Sequence, residues 1–216
     1  MILLDISRHL LTQISSFSIF LPLAGALIPL LQKRSASYVR PFFIFLLIMG
    51  ICENYSMDLY NKGQNNLHIY YFLLILEFVG FSFIFYNNTS SYRFQLLILI
   101  AGAFFLSFYL FYTLLNDTIE TFNSEIRTLE AINLIIFAMV YLYIFSNEIS
   151  VRPVNILKTP MFWFSIGILF YFTANFFMFM FYYQIVSKLP RSWDIHSIVN
   201  ILTNIIFTIS FLCKVK

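Results

Sequence analysis

The stretch LHIYYFLLILEFVGFSFIFY, Leu67 to Tyr86, is twenty residues long, and Glu77, near its middle, is its only Asp, Glu, Lys or Arg. A helix needs about 20 apolar residues to cross roughly 30 Å of hydrocarbon, so the stretch reads as a membrane span with a carboxyl group close to the bilayer centre. An isolated charge there costs roughly 2.5–3.5 kcal/mol on insertion scales, so such a residue normally faces a protein interior and has a partner.

Working outward, runs of comparable length repeat through the chain. Seven spans are expected: Ile14–Leu31, Pro41–Tyr60, Leu67–Tyr86, Phe94–Leu115, Ser124–Phe145, Met161–Val186 and Trp193–Cys213. The second is the weakest, because Glu53, Asn54 and Asp58 fall in its last turns. Composition agrees, with 60% hydrophobic and 11% charged residues, against about 25% charged in a soluble domain. The fold class is therefore an all-α membrane protein, one seven-helix transmembrane bundle over residues 1–216. Short loops leave no room for a soluble domain, and a net charge of +3 is no nucleic-acid signature. The lipid bilayer is the first partner. The 28 Phe and 14 Tyr suit lipid-facing and interfacial positions.

Orientation follows from Lys and Arg. Arg8, Lys62, Arg127, Lys188 and Arg191 fall on the N-terminal side, five in all; Lys33, Arg34, Arg40, Arg93, Arg152, Lys158, Lys214 and Lys216, eight in all, fall on the other. The positive-inside rule then places the N-terminus outside and the C-terminus in the cytoplasm. A cleaved signal peptide ending near Ala24-Gly25-Ala26 is the alternative, but the apolar run continues to Leu31 and ends in Gln32-Lys33-Arg34, as a retained span would. Cys52 and Cys213 lie most of a membrane thickness apart and form no disulfide.

Placed by depth, the polar residues of the spans gather in the outer half. Glu53 ends the second span, Tyr70 and Glu77 lie on the third, Arg127 and Glu130 open the fifth, Asn175 lies on the sixth, and His196 and Asn200 open the seventh. His196, Asn200, Thr203 and Asn204 follow helical spacing, as do Tyr171, Asn175 and Tyr182. An outward-facing polar pocket is expected, with Arg127 and Glu130 paired at its mouth and Glu77 as its floor, protonated or hydrogen-bonded to a neutral partner. The Asn residues equally serve as glue between helices.

No cofactor is expected. The last span has no lysine for a retinal Schiff base, and paired haem histidines are lacking. A zinc site would have to draw on His68, His196 and Glu53 or Glu130, without HxxxH or HExxH spacing. An enzyme is not the expected class; a metal-dependent intramembrane hydrolase is the remote alternative.

The strings ENYSMDLYNKGQNNLHIYYFLLILEF, NSEIRTLEAINL, PMFWFSIGILFYFTANFFMF and WDIHSIVNILTNI resemble a family of small, uncharacterised seven-helix inner-membrane proteins of Bacteroidota, often encoded near sensor histidine kinases. The resemblance runs from the second span to the seventh. It matches the family's recurrent polar positions at Glu53, Glu77, Arg127, Glu130, His196, Asn200 and Asn204, and departs from it at Ala174, where Gly is frequent. It implies a bacterial inner-membrane location and a signalling context, and supplies no mechanism. The expected function is a sensor or receptor-like protein that binds a small ligand, cation or proton and signals through a separate membrane or cytoplasmic partner, such as a sensor kinase. Arg152, Pro153 and Lys158 are candidate contact points. An accessory subunit of a larger complex and a proton-coupled conduit or transporter are the alternatives.

Overall fold

The computed structural model describes residues 2–32, 38–115, 123–151, 155–185 and 192–213. Lys33, Arg34, Asp117, Glu120, Arg152, Pro153, Val186, Lys188, Arg191, Lys214 and Lys216 lie outside the described residues. Within them the chain is helical: α1 (Ile2–Phe17), α2 (Phe20–Leu31), α3 (Val39–Asn61), α4 (Leu67–Asn87), α5 (Tyr92–Leu115), α6 (Ser124–Val151), α7 (Pro160–Met180), α8 (Tyr182–Ile185) and α9 (Ser192–Leu212), with a 3₁₀ turn at Ile156–Lys158. Seven crossings are long and apolar enough to span a membrane, the first combining the end of α1 with α2 as Leu10–Leu31. Helices satisfy every backbone group internally, as hydrocarbon requires. Val39–Asn61 runs unbroken through Glu53 and Asp58, so the weakest expected span is a full crossing.

Three boundaries differ from the sequence reading. The first helix starts at Ile2 instead of Ile14 and breaks at Ser18 and Ile19. Serines there compete for backbone carbonyls: Ser16 Oγ donates to Thr12 O at 3.2 Å and Ser18 Oγ to Ser15 O at 2.6 Å. The sixth crossing ends at Met180, because Phe181 leaves helical geometry with φ −109° and ψ 33°. Tyr182 therefore sits beyond a break and does not continue the Tyr171–Asn175 stripe. Finally, α6 runs on to Val151, past the expected end at Phe145.

Successive crossings alternate in direction. What we term the upper end of the bundle holds the ends of α3 and α7 and the starts of α4, α6 and α9. The lower end is tied by Tyr38 Oη and Ser210 Oγ, 3.1 Å apart, with Ser210 Oγ donating to Pro160 O at 2.8 Å. α7 packs most extensively on α6 and α9, and α9 also on α1 and α2. α5 touches α4 and α6 and is peripheral, with 17% of its apolar window buried.

The interior is aromatic. Seven of the twelve largest fully buried side chains among the described residues are Phe, so phenylalanine builds the core as well as the lipid-facing surface. Phe42 of α3 meets Phe164 of α7 at 5.2 Å and Phe207 of α9 at 5.3 Å, both edge to face. Lipid tails are as apolar as these rings, so close packing and ring geometry hold the helices together where solvent exclusion cannot. Two glycines permit the approach: a Cβ on Gly80 would lie 2.6 Å from the Phe45 ring and one on Gly167 2.7 Å from the Phe207 ring. On Gly102 it would meet only a Phe78 ring carbon at 3.9 Å.

Gly80→Ala and Gly167→Ala are each expected to destabilise the bundle by about 1–3 kcal/mol through overpacking. Gly102→Ala is expected to stabilise it by roughly 0.5–1 kcal/mol through helix propensity. Reversible unfolding in bicelles measures all three.

Candidate functional site

Glu77 stands at the middle of α4, ten residues after Leu67, whereas Arg127 is only three residues into α6. Side chains on a helix lean towards its N-terminus, so the two can meet only if α6 starts recessed below the level at which α4 begins. They do meet. Arg127 Nη1 donates to Glu77 Oε2 and to Glu130 Oε2, both at 2.5 Å, and Nη2 reaches the Tyr171 hydroxyl at 3.3 Å. Side-chain exposure is 13% for Arg127, 9% for Glu77 and 0% for Glu130. The guanidinium also lies over the ring of Phe179, 4.8 Å from its centroid, and that of Phe172, 5.7 Å away. α4, α6 and α7 are thus joined by one planar cation with anions and rings around it. Arginine suits this position because its donors are fixed in a plane and its faces stack on aromatic rings.

The geometry corrects one expectation. Glu77 bonds directly to a cation, the part-buried Arg127, instead of a neutral partner. The pairing of Arg127 with Glu130, three residues apart on one helix, is as the spacing anticipated. One carboxylate oxygen, Glu130 Oε1, is buried with no hydrogen-bond partner among the described residues.

Glu53 on α3 makes no hydrogen bond or ion pair among the described residues, but its carboxylate lies within electrostatic range of Glu77 and Arg127. Tyr70, two turns above Glu77 on the same face of α4, is 48% exposed and makes no hydrogen bond to the three charged groups. His196 sits beside the site. Asn175 Nδ2 donates to Tyr171 O at 2.9 Å, which leaves Asn175 Oδ1 to accept from His196 Nδ1 at 3.0 Å. The His196 ring packs against Trp193, Tyr171 and Phe179, so Phe179 contacts both the histidine and the arginine.

Asn200 belongs elsewhere. It donates to Ser15 Oγ at 3.1 Å, and Asn204 donates to Ser18 Oγ at 2.7 Å, so both clasp the break between α1 and α2. This contact fits the reading of Asn200 as glue between helices. Among the described residues no three of His, Cys, Asp and Glu gather as a metal site; His68 is exposed at the start of α4 while His196 is bonded to Asn175, so the candidate set of His68, His196 and Glu53 is not assembled.

Sequence reasoning passed over Phe172, Phe179, Ser15 and Ser18 as site or clasp residues, and placed Tyr171 on a stripe without giving it a role. Tyr171, Asn175 and Phe179 stand at i, i+4 and i+8, the signal that marks them as one face. The comparisons with known proteins return no matching family model, no similar curated protein and no similar solved structure.

Removing one partner of a buried pair leaves an uncompensated charge, at a cost of about 3–5 kcal/mol, whereas replacing the whole set by apolar groups is often neutral. Arg127→Ala is accordingly expected to destabilise the protein by about 3–5 kcal/mol, and the triple replacement Glu77→Leu, Arg127→Leu, Glu130→Leu to recover most of that loss. Asn204→Ala should cost only about 0.6 kcal/mol. Unfolding free energies in bicelles separate these outcomes.

Proposed function

We propose that this protein is a seven-helix membrane sensor, receptor-like in design, whose receptor element is the Glu77–Arg127–Glu130 bridge and whose stimulus is a proton or small cation. One observation carries the reading: two carboxylates from different helices share a single guanidinium nitrogen, and a third, Glu53, adds its field without bringing a cation. Three acids against one arginine leave surplus negative charge in a medium where charge is expensive. A bound proton or small cation lowers that surplus by one charge. The same event weakens one arm of the bridge, so occupancy and the spacing of α4, α6 and α7 are linked.

His196, Asn175 and Tyr70 border this site as the groups through which its occupancy would be sensed at the upper end. In this reading the N-terminus is outside, the C-terminus is in the cytoplasm, and the upper end faces outward, as the Lys and Arg distribution favours. The helices themselves are the output, and a separate protein reads them; the resemblance to a family found beside sensor histidine kinases supports such a kinase as the reader. No catalytic step is assigned. The peripheral position of α5, which offers Leu99, Ile100, Phe104 and Phe111 outward, favours a second reading, in which the chain is an accessory subunit whose partner helix covers that face.

Spin labels on the upper halves of α4 and α7, with the protein in nanodiscs, test the proposal. Acidification or added Na⁺ is expected to change the inter-label distance in the wild type, and Glu77→Gln with Glu130→Gln to hold one distance throughout. A wild-type distance insensitive to both pH and cations would refute the receptor role. Reporter fusions at the C-terminus check orientation, with cytoplasmic activity expected.

A further inference from the structure

At the lower end, far from the charged bridge, the turn between α4 and α5 stands over the last turns of α6 and encloses a cleft of about 240 Å³. Its rim is polar, made by Asn88, Thr89, Ser90 and Glu148, and its floor is Tyr141, Ile144 and Phe145. The floor rings are ordered, with Tyr141 and Phe145 stacked 6.3 Å apart. Glu148 is an exposed carboxylate whose bond is to Ser90 Oγ at 3.1 Å. Arg40, Arg93 and Lys158 share this end of the bundle, yet no described cation pairs with Glu148.

The depth is set by the spans. Asn88 follows the last residue of α4, and Glu148 lies two residues before the end of the crossing that finishes at Ser150. The cleft therefore sits where lipid headgroups lie, with apolar side chains towards the hydrocarbon. It is smaller than the roughly 300–1,000 Å³ cavities that hold drug-sized ligands, which fits a headgroup better than an organic molecule of that size. A carboxylate and hydroxyls are the complement of a primary ammonium, because both accept its protons.

We propose that this cleft binds the headgroup of an aminophospholipid, with Glu148 and Ser90 receiving the primary ammonium. The site depends on membrane insertion alone and stands whether or not the bridge at the upper end is a receptor.

Native mass spectrometry of the full chain, released from nanodiscs holding equal amounts of phosphatidylethanolamine, phosphatidylcholine and phosphatidylglycerol, tests it. The wild type is expected to retain phosphatidylethanolamine over phosphatidylcholine, whose trimethylated nitrogen donates no hydrogen bond. Glu148→Gln is expected to reduce that preference by about tenfold, the scale of one charge-assisted hydrogen bond. Equal retention of the two lipids, or a preference unchanged in Glu148→Gln, would overturn the proposal. Glycerophosphoethanolamine in solution separates lipid from free amine. Failure to displace the bound lipid supports a headgroup site anchored by its chains, and displacement at low concentration would reassign the cleft to a soluble amine and overturn the lipid assignment. Because Glu148 is exposed, its replacement leaves the packed interior untouched.

Discussion

A guanidinium shared by two carboxylates inside a hydrocarbon layer constrains everything around it. Water cannot screen the three charges, so each must be held where the others are, and the helices that carry them lose their freedom to slide. Arg127 needs Glu77 at mid-helix and Glu130 on its own helix, which fixes α6 in a recessed register against α4. Tyr171, Phe172 and Phe179 then close over the cation, which sets the rotation of α7. The aromatic core does the opposite kind of work. Ring-on-ring contacts among Phe42, Phe81, Phe164 and Phe207 fill space between α3, α4, α7 and α9, whereas the bridge ties three helices through one cation.

That division gives the bundle a charged tie between three helices and a close-packed aromatic core beside it. Neutralising one carboxylate leaves its neighbour and Arg127 still paired, so the fold would survive while the register of three helices is released. The α1–α2 break is a second local feature, clasped by Asn200 and Asn204 from α9. Its bonds are neutral and weak by comparison, of the order of 0.6 kcal/mol each, so it follows the rest of the bundle.

Much of this was legible in the sequence. Apolar run length gave all seven crossings, because the thickness of hydrocarbon is a fixed ruler. The cost of a mid-membrane carboxyl singled out Glu77, and spacing of three paired Arg127 with Glu130. What could not be read was relative register between helices. Nothing in the residues around Ser124 announces that α6 starts recessed, so the sequence places Arg127 at a mouth and gives Glu77 a neutral partner instead of this cation. The same register decides that Asn200, on the stripe with His196, meets Ser15 of α1. Breaks such as the one at Phe181 depend on local dihedrals that apolar composition does not encode.

The central claim is that the surplus carboxyl in the bridge is neutralised by a bound positive charge. Infrared difference spectroscopy of the protein in lipid, between alkaline and mildly acidic buffer with and without Na⁺, addresses it most directly. The account predicts a protonated-carboxyl band, or its replacement by a cation-dependent carboxylate shift, that disappears in the Glu77→Gln, Glu130→Gln double variant. A wild-type spectrum with neither signal, or one identical to that of the double variant, would contradict it.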